Sequence, residues 1–252
     1  MTEPVFGYHA VESLLRHDPG RIQLIYLQAE RADRRMMGLS ELAENQGVAI
    51  RRVPRAELDD LVSGRHQGVV AIVSGQPSAS AEGLDESALM ALVERTERPL
   101  LLILDGVTDP HNLGACLRSA DGAGVTAVIF PKDKNADMTA VARKVASGAA
   151  DTTPWVRVSN LARTMEALKA RGVWMIGTAG DAAQSLYQQD FTGSCAIVMG
   201  SEGAGLRRLT RDLCDFLVSL PMAGSVSSLN VSVAAGVCLF EAVRQRGKKS
   251  AV

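Results

Sequence analysis

The feature of this sequence that most constrains its fold is a regular alternation of apolar, β-branched runs with helical patterns after residue 84. Such alternation is typical of a parallel sheet covered by helices on both faces. The predicted strands are Leu100–Leu104, Ala127–Phe130, Val173–Gly177, Cys195–Met199 and Phe216–Leu220. The predicted helices are Leu84–Glu94, Asn112–Asp121, Ala136–Gly148, Asn160–Arg171, Gly205–Asp212 and Val231–Arg246.

A length of 252 residues fits a small domain followed by a medium-sized one. Residues 74–83 read SGQPSASAEG, a composition typical of a linker. We therefore expect a domain over residues 1–73, a linker over 74–83 and a second domain over 84–252. In the first domain the pattern predicts a small α/β fold, with helices at Gly7–Arg16 and Gly38–Asn45 and strands at Ile22–Leu27 and Val69–Val73.

The net charge of the chain is compatible with nucleic-acid binding only through a local basic surface. The formal net charge of −1 excludes a strongly basic binding tail, and an aromatic content of 4% disfavours a broad base-stacking platform. All nine basic residues of the first domain are arginines, against ten acidic residues. Two clusters, Arg31/Arg34/Arg35 and Arg51/Arg52/Arg55, are equally compatible with ordinary solvated charge and with an RNA-facing patch.

Cysteine and histidine usage indicates neither disulfides nor a metal centre. Cys116, Cys195, Cys214 and Cys238 are far apart and form no CxxC pair, which favours reduced, buried thiols. The four histidines show no metal-ligand spacing, so we predict no metal. Neither an apolar run of about 18 residues nor a signal peptide is apparent, so a cytoplasmic protein without a membrane span is expected.

The first of three polar loops at predicted strand ends is Asp105–Arg118, with the sequence DGVTDPHNLGACLR. Ligands of parallel α/β sheets bind at this edge. Asn112 is predicted to cap the following helix, and Gly114 to permit close approach of another chain or a ligand. Arg118 follows Gly114 by four residues and is expected on the same helix face.

The second loop, Ile197–Leu206, reads IVMGSEGAGL and places three glycines after a buried strand. This pattern suggests a ligand lying against backbone. The loop lacks the GK[ST] ending of a P-loop, which disfavours nucleoside triphosphate hydrolysis. Glu202 lies among the glycines, so the site suits a neutral or cationic group better than bare phosphate.

The third loop, Leu220–Asn230, opens the last helix with more capping residues than one helix needs. Ser227, Ser228 and Asn230 place two hydroxyls and an amide there, which favours a binding loop. By contrast, the GxGxxA match that begins at Gly122 follows a helix and precedes a strand. That order is the reverse of a dinucleotide-binding motif, so a nicotinamide or flavin site is disfavoured.

Together the three loops resemble the three motifs of the SPOUT methyltransferases, in their SpoU or TrmH-like branch. The matching elements are NLGACLR at Asn112–Arg118, GSEG at Gly200–Gly203 and PMAGSVSSLNVS at Pro221–Ser232. The N-terminal FGYHAVESLL and HQGVVA also resemble the RNA-binding domain of family members, so the similarity covers nearly the whole chain. One departure is Ala204, where many relatives carry an acidic residue.

The resemblance implies a C-terminal SPOUT domain with a parallel sheet and a deep trefoil knot, and a small N-terminal α/β RNA-binding domain. It implies S-adenosylmethionine as methyl donor, bound in a bent form, and 2′-O-ribose methylation of a guanosine in the peptidyl-transferase loop of 23S rRNA. The expected partners are 23S rRNA or a pre-ribosomal particle and a second copy of the chain. An apolar stripe through Val233, Val237 and Phe240 agrees with a homodimer.

The resemblance also implies which residues act. The expected catalytic set is Asn112, Arg118, Glu202, Ser228 and Asn230. Within it, Arg118 holds the target phosphate and stabilises the developing alkoxide, while Glu202 anchors Arg118 or the polar network. The expected cofactor-binding residues are Thr178, Ala179, Gly180, Met199, Gly200, Leu220, Met222, Ser228 and Leu229.

Two alternatives to an rRNA enzyme come from the same observations. One is a tRNA ribose methyltransferase, against which the N-terminal domain argues, because the smallest tRNA enzymes lack it. The other is a non-catalytic RNA-binding or ribosome-assembly factor that retains the fold, against which the complete polar set argues.

Overall fold

The computed structural model describes residues 2–17, 19–31, 33–62, 64–74 and 83–247. The chain divides into two compact units, Met1–Ala81 and Glu82–Val252. Most of the predicted linker, residues 75–82, lies outside the described residues, so its character stays a prediction. No helix among the described residues is both long enough and apolar enough to cross a membrane.

The N-terminal unit is a four-stranded sheet with helices. Its strands are β1 (Thr2–Phe6), β2 (Ile22–Gln28), β3 (Ile50–Val53) and β4 (Val69–Ser74), in the order β1-β4-β2-β3. Strand β4 runs antiparallel to β1 and β2, whereas β2 and β3 are parallel. The helices are α1 (Tyr8–His17), α2 (Arg34–Asn45) and α3 (Arg55–Leu61), with a short 3-10 helix at Pro19–Arg21.

The predicted α/β character of this unit is confirmed, but the sequence pattern missed β1, β3 and α3. The helix expected from Gly38 begins instead at Arg34, because the Asp33 carboxylate accepts the backbone N–H groups of Arg35 and Met36. The core of the unit lies beneath α1 and α2, where Val11, Leu15, Ile25, Leu27 and Leu39 are buried.

The C-terminal unit contains a seven-stranded parallel sheet. The strands are β5 (Leu100–Asp105), β6 (Ala127–Pro131), β7 (Trp155–Val158), β8 (Trp174–Thr178), β9 (Gln184–Ser185), β10 (Cys195–Gly200) and β11 (Phe216–Ser219). Their order is β7-β6-β5-β10-β8-β11-β9, and every pair is parallel. The five predicted strands are all present within one residue at each end, while β7 and β9 were missed.

The helices of this unit cover both faces of the sheet, as predicted. They are α4 (Glu86–Arg95), α5 (Pro110–Gly122), α6 (Ala140–Ala146), α7 (Ala149–Thr152), α8 (Leu161–Lys169), α9 (Arg208–Leu213) and α10 (Val231–Gly247), with a 3-10 helix at Leu186–Gln188. Alternate residues of β5 separate the two cores: Leu102 packs with α5 and α10, and Ile103 packs with α4 and α8.

Two helix predictions in this unit are wrong in detail. The helix expected over Ala136–Gly148 is shorter than predicted. Thr139 caps its start just before Ala140, and the left-handed backbone conformations of Ser147 and Gly148 end it after Ala146. Asn112 does not cap α5. The cap is Asp109, whose carboxylate accepts the His111 N–H, and Pro110 occupies the first turn. Asn112 therefore lies inside the helix, and its side-chain amide can form hydrogen bonds with groups outside the helix.

Close backbone packing shapes the edge where β5, β8, β10 and β11 end. Ser201 and Gly205 form an antiparallel bridge that folds the loop after β10 back on itself. A Cβ on Gly200 would lie 2.1 Å from the carbonyl carbon of Gly205, so only glycine fits there. Gly114 is also a packing residue, since its Cβ would lie 2.4 Å from the Ala142 carbonyl oxygen in α6 rather than against a ligand. The trefoil knot stays a prediction.

Candidate active site

Three side chains from the three polar loops meet in one hydrogen-bonded triangle. Asn112 Nδ2 donates to Glu202 Oε1 at 2.7 Å. Asn230 Nδ2 donates both to Asn112 Oδ1 at 3.0 Å and to Glu202 Oε1 at 2.9 Å. The residues are separated by 90 and 28 positions along the chain, so the fold alone brings them together.

Contacts at the start of α10 fix the orientation of Asn230. Its Oδ1 accepts the backbone N–H of Ser232 at 2.9 Å and the Ser232 hydroxyl at 2.7 Å. The amide oxygen is thus committed to the helix terminus, and the NH2 group must face Glu202. Asn230 thus both caps the start of α10 and donates within the triangle.

A cavity of about 400 Å³ adjoins the triangle at the carboxyl ends of β8, β10 and β11. Glu202 and Asn230 line it, and Ser228 projects an exposed hydroxyl into the same region. All nine residues predicted to bind the cofactor line this cavity: Thr178, Ala179, Gly180, Met199, Gly200, Leu220, Met222, Ser228 and Leu229. Their role as cofactor ligands stays a prediction.

The walls of this cavity suit a nucleoside that carries a cationic group. Met199, Val218 and Leu220 supply an apolar wall, and Gly200 and Gly203 expose backbone. The Thr178 hydroxyl donates to the Val198 carbonyl at 3.2 Å, so its donor is already used within the sheet. The carboxylate of Glu202 supplies the negative charge. Binding pockets of small ligands have volumes of roughly 300–1,000 Å³, so the size also fits.

Arg118 lies outside the triangle. It is exposed on α5 and makes no hydrogen bond or ion pair within the described part of the chain. Of the two partners expected for Glu202, the structure has the polar network and not Arg118. On α5 its neighbours Ser119 and Gly122 lie against Gly236 and Phe240 of α10. Arg118 therefore borders the exposed side of the α5–α10 pair.

A second cavity, of about 420 Å³, lies on the other side of Glu202 and was not predicted from the sequence. Asp105 is fully buried at its floor and accepts hydrogen bonds from the backbone N–H and the guanidinium of Arg207. A carboxylate that ends a fully buried strand was the one sequence signal available, because burying it demands a cationic partner. Asp109, Asn112 and Lys134 also line this cavity.

The N-terminal unit has a cleft of its own, of about 350 Å³, which we call the arginine cleft. Arg31, Arg55 and Arg65 line it together with Asp59 and the segment His66–Gly68. The two arginine clusters of the sequence therefore do not form two separate clusters in the structure. Arg31 and Arg55, one from each cluster, share the cleft, whereas Arg51 lies over the ring of Tyr26.

Buried contacts hold the wall of the arginine cleft in place. His66 Nδ1 accepts the Gly68 N–H at 3.0 Å, so Nε2 carries the proton and donates to Asp59 at 2.8 Å. Arg31 donates to the Gln67 carbonyl at 2.7 Å, where Gln67 adopts a left-handed backbone conformation. The cleft is therefore built on an ordered framework.

The cysteines play no visible part in either unit. All four are free thiols, and burial raises the pKa of Cys116 and of Cys238 to about 12. They stay protonated at neutral pH and are poor nucleophiles. No group of three or more His, Cys, Asp or Glu side chains arranged to hold a metal occurs among the described residues.

Comparison with known proteins places these features in a family. The model of the SpoU rRNA Methylase family matches residues 99–240, and a model described as RNA 2'-O ribose methyltransferase substrate binding matches residues 4–79. The chain therefore belongs to the SpoU rRNA methylase family.

Individual relatives match over almost the full length. The 23S rRNA (guanosine-2'-O-)-methyltransferase RlmB of Pseudomonas putida is 59% identical over 98% of both chains. The protein of the same name from Escherichia coli is 54% identical over 98% of this chain and 100% of the relative. The crystal structure of the SpoU methyltransferase AviRb from Streptomyces viridochromogenes in complex with AdoMet superposes with a TM-score of 0.67, at 27% identity, over 96% of this chain and 89% of that one.

The triangle generates a prediction about pH. Asn230→Asp keeps the oxygen that caps α10 but places a second carboxylate against Glu202. Repulsion from Glu202 raises the pKa of the introduced carboxyl group in the folded protein above its unfolded value. The variant therefore loses stability as the pH rises above about 4. We expect a loss of about 1 kcal/mol at pH 7, modest because the site is exposed, and a smaller loss at pH 4.

Urea unfolding at pH 4 and pH 7 measures this difference. The matched control is Asn160→Asp, another asparagine at a helix N-cap, whose side chain accepts the Arg163 N–H at 3.1 Å. This control should cost little at either pH. An equal loss at both pH values for Asn230→Asp would show that the carboxylates do not interact.

Proposed function

We propose that this chain transfers a methyl group from S-adenosylmethionine to the ribose 2′-oxygen of a guanosine in 23S rRNA. The observation that carries the proposal is the Asn112–Glu202–Asn230 triangle, set between a cavity fit for the methyl donor and a second cavity open to RNA. The names of relatives at 54–59% identity support the substrate, and the AdoMet complex of AviRb supports the donor. Ribosomal RNA is made in the bacterial cytoplasm, and we place the activity there.

The chemical task is to bring a weak nucleophile to an electrophilic methyl group. The bound donor supplies a methyl group on a positively charged sulfur. Glu202, at the border of the first cavity, would offer its negative charge to a cationic donor bound there, and the amides of Asn112 and Asn230 hold the carboxylate in place. Side chains fixed before substrate arrives lose little freedom when the ribose is positioned, and such orientation can supply much of the rate acceleration.

Arg118 then acts on the RNA rather than on the donor. A guanidinium cannot serve as a base near neutral pH, because it stays protonated in proteins. It can bind the phosphate beside the target ribose and stabilise negative charge that develops on the 2′-oxygen. Its exposed position, free of partners within the described residues, leaves its donors available for this contact.

Replacement of Arg118 tests this role. Arg118→Ala should abolish methyl transfer to 23S rRNA while the affinity for S-adenosylmethionine stays within about tenfold, or roughly 1.4 kcal/mol. Radiolabelled methyl transfer and isothermal titration measure the two quantities. Arg163→Ala, an exposed arginine of α8 on the other face of the sheet, is the control and should retain activity. Near-normal turnover of Arg118→Ala would refute the role.

The proposed assembly is a homodimer built on α10. Val233 and Phe240 are each 52% exposed on one stripe of this helix, with half-buried Val237 between them. Phe240 lies over Gly122 of α5, so the stripe continues onto a second helix. Exposed apolar side chains in a row are typical of an interface rather than of a wetted surface. Such a dimer would also bring Arg118 to the subunit boundary.

A charge in this stripe tests the assembly. Phe240→Asp should convert a dimer into a monomer, because an unpaired carboxylate would be buried at the interface. Analytical ultracentrifugation at micromolar concentration measures the change. Leu209→Asp, at an apolar side chain of α9 that is 61% exposed, is the matched control and should stay dimeric. A wild-type protein that sediments as a monomer would contradict the proposal.

The N-terminal unit is proposed to recruit the RNA through the arginine cleft. Its match to the substrate-binding family model supports this division of labour. Arginine binds phosphate through a planar fork of donors, and three arginines around one cleft suit a folded RNA backbone. Arg31 donates to the Gln67 carbonyl and to Asp33, both at 2.7 Å, whereas Arg55 makes a looser, exposed ion pair with Asp59 at 3.6 Å. Arg55 and Arg65 are therefore the more available pair.

The salt dependence of RNA binding tests the proposed role of the arginine cleft. Joint replacement by Arg55→Glu and Arg65→Glu should weaken RNA binding and lower the slope of log K against log salt concentration by about 0.7 per lost phosphate contact. Affinity for S-adenosylmethionine should not change. Arg16→Glu, at an exposed arginine of α1 outside the cleft, is the control. A slope equal to that of the wild type would exclude the cleft as the RNA-binding surface.

A further inference from the structure

The two cavities of the C-terminal unit are neighbours that share a wall. Ser201, Glu202 and Val231 line both of them. The triangle spans this wall, because Asn230 lines the first cavity and Asn112 lines the second. A group bound in the second cavity is therefore separated from the first by this thin wall, which includes the Glu202 side chain that we assign to methyl transfer.

The charges of the second cavity are not all available to a ligand. The Arg207 guanidinium is bound to the buried Asp105 carboxylate, so these two charges compensate each other. Asp109 uses Oδ1 to accept the His111 N–H at 2.8 Å and keeps further acceptor capacity. Lys134 makes no hydrogen bond or ion pair within the described residues. Glu202, the other carboxylate of the lining, is held by the amides of Asn112 and Asn230. Asp109 and Lys134 thus remain as the charged groups available to a ligand.

Hydrogen bonds between two loops hold these groups at one cavity. Asn135 Oδ1 accepts the Val107 N–H at 2.8 Å, and the Ala136 N–H donates to the Val107 carbonyl at 2.7 Å. Lys134 has a left-handed backbone conformation, with φ of 57°, which turns the chain at this point. The loop that carries Lys134 is therefore fixed against the loop that carries Asp109.

We propose that the second cavity receives the base of the target nucleotide and selects guanine, an inference that rests on the proposed function. Guanine offers N1–H and a 2-amino group as donors, and O6 and N7 as acceptors. Asp109 accepts from the donors, and Lys134 donates to O6 or N7. Adenine presents an acceptor at N1, which would face the carboxylate without a hydrogen bond. The ribose of the bound nucleotide then lies at the shared wall.

The same groups argue against a phosphate in this cavity. Arg207 is already paired, and a phosphate near Lys134 would face the negative charge of Asp109. A base with donors on one edge and acceptors on another fits one carboxylate and one ammonium group better. This distinguishes the second cavity from the arginine cleft, where arginines predominate.

Base analogues in the substrate test the proposal with the full-length protein. The target position is first mapped on 23S rRNA, and an RNA fragment is then prepared with guanosine or with inosine at that position. Inosine lacks only the 2-amino group. The wild type should prefer guanosine by about tenfold or more in kcat/KM, because a hydrogen bond to a charged group is lost with inosine. For Asp109→Asn the preference should fall to within about threefold.

The variant Lys134→Gln provides a second, independent test of the proposal. It should lower kcat/KM for both RNAs and leave the guanosine preference unchanged, since inosine keeps O6 and N7. Asp133→Asn and Lys132→Gln, in the same loop but outside the cavity, are matched controls and should behave as the wild type. Titration with S-adenosylmethionine verifies that each variant is folded.

The outcomes separate this inference from the proposed function. If the wild type methylates no guanosine in 23S rRNA, the proposed function fails. If the wild type is active but shows no preference over inosine, or if Asp109→Asn retains the full preference, the base-reading role of this cavity is overturned.

Discussion

The architecture of the C-terminal site depends on one buried charge. Asp105 ends strand β5 with no exposed surface, and its carboxylate accepts hydrogen bonds from the backbone N–H and the guanidinium of Arg207. Loss of one partner of a fully buried ion pair costs roughly 3–5 kcal/mol, and the half-exposed Arg207 lowers that value here. The pair ties the end of the glycine loop to the sheet, so it determines where Glu202 can lie.

From that anchor the site is assembled by backbone proximity and then by hydrogen bonds. Gly200 packs against Gly205, which folds the loop tightly enough to direct Glu202 outward between two helix termini. Asn112 in α5 and Asn230 before α10 then reach the same carboxylate oxygen. The amides are oriented by the helices themselves, so the network exists before any ligand binds.

The sequence predicted those parts of the fold that have a strong local signal. The five long apolar strands were found because each is a nearly continuous buried run. Strand β7 was missed because Trp155–Val158 is short and includes Arg157, which pairs with Asp137. The cap of α5 was misplaced because both Asp109 and Asn112 can cap a helix, and only the path of the chain decides between them.

The candidate site was also predicted only in part, because contacts between distant residues leave no local pattern in the sequence. The resemblance grouped the residues around the first cavity, although no local pattern relates Thr178 to Leu229. It gave no indication of the second cavity, whose Asp105–Arg207 pair joins residues 102 positions apart. The arginine clusters were misleading because neighbours in sequence need not be neighbours in space. Arg51 and Arg52 are adjacent in β3 and project to opposite faces of the sheet, whereas Arg31, Arg55 and Arg65 converge.

The distribution of charge suggests how affinity and specificity are divided. In nucleic-acid recognition, contacts to phosphate position the protein and contacts to bases select the sequence. With a net charge of −1, the chain cannot hold RNA through a general positive potential, so its affinity must come from a local surface such as the arginine cleft. The second cavity has the opposite character, because carboxylates predominate in its lining and Lys134 is its one unpaired cation among the described residues. In the base-reading role that we propose, it would contribute little to affinity but much to the choice of base, and that choice would decide which ribose meets the methyl donor.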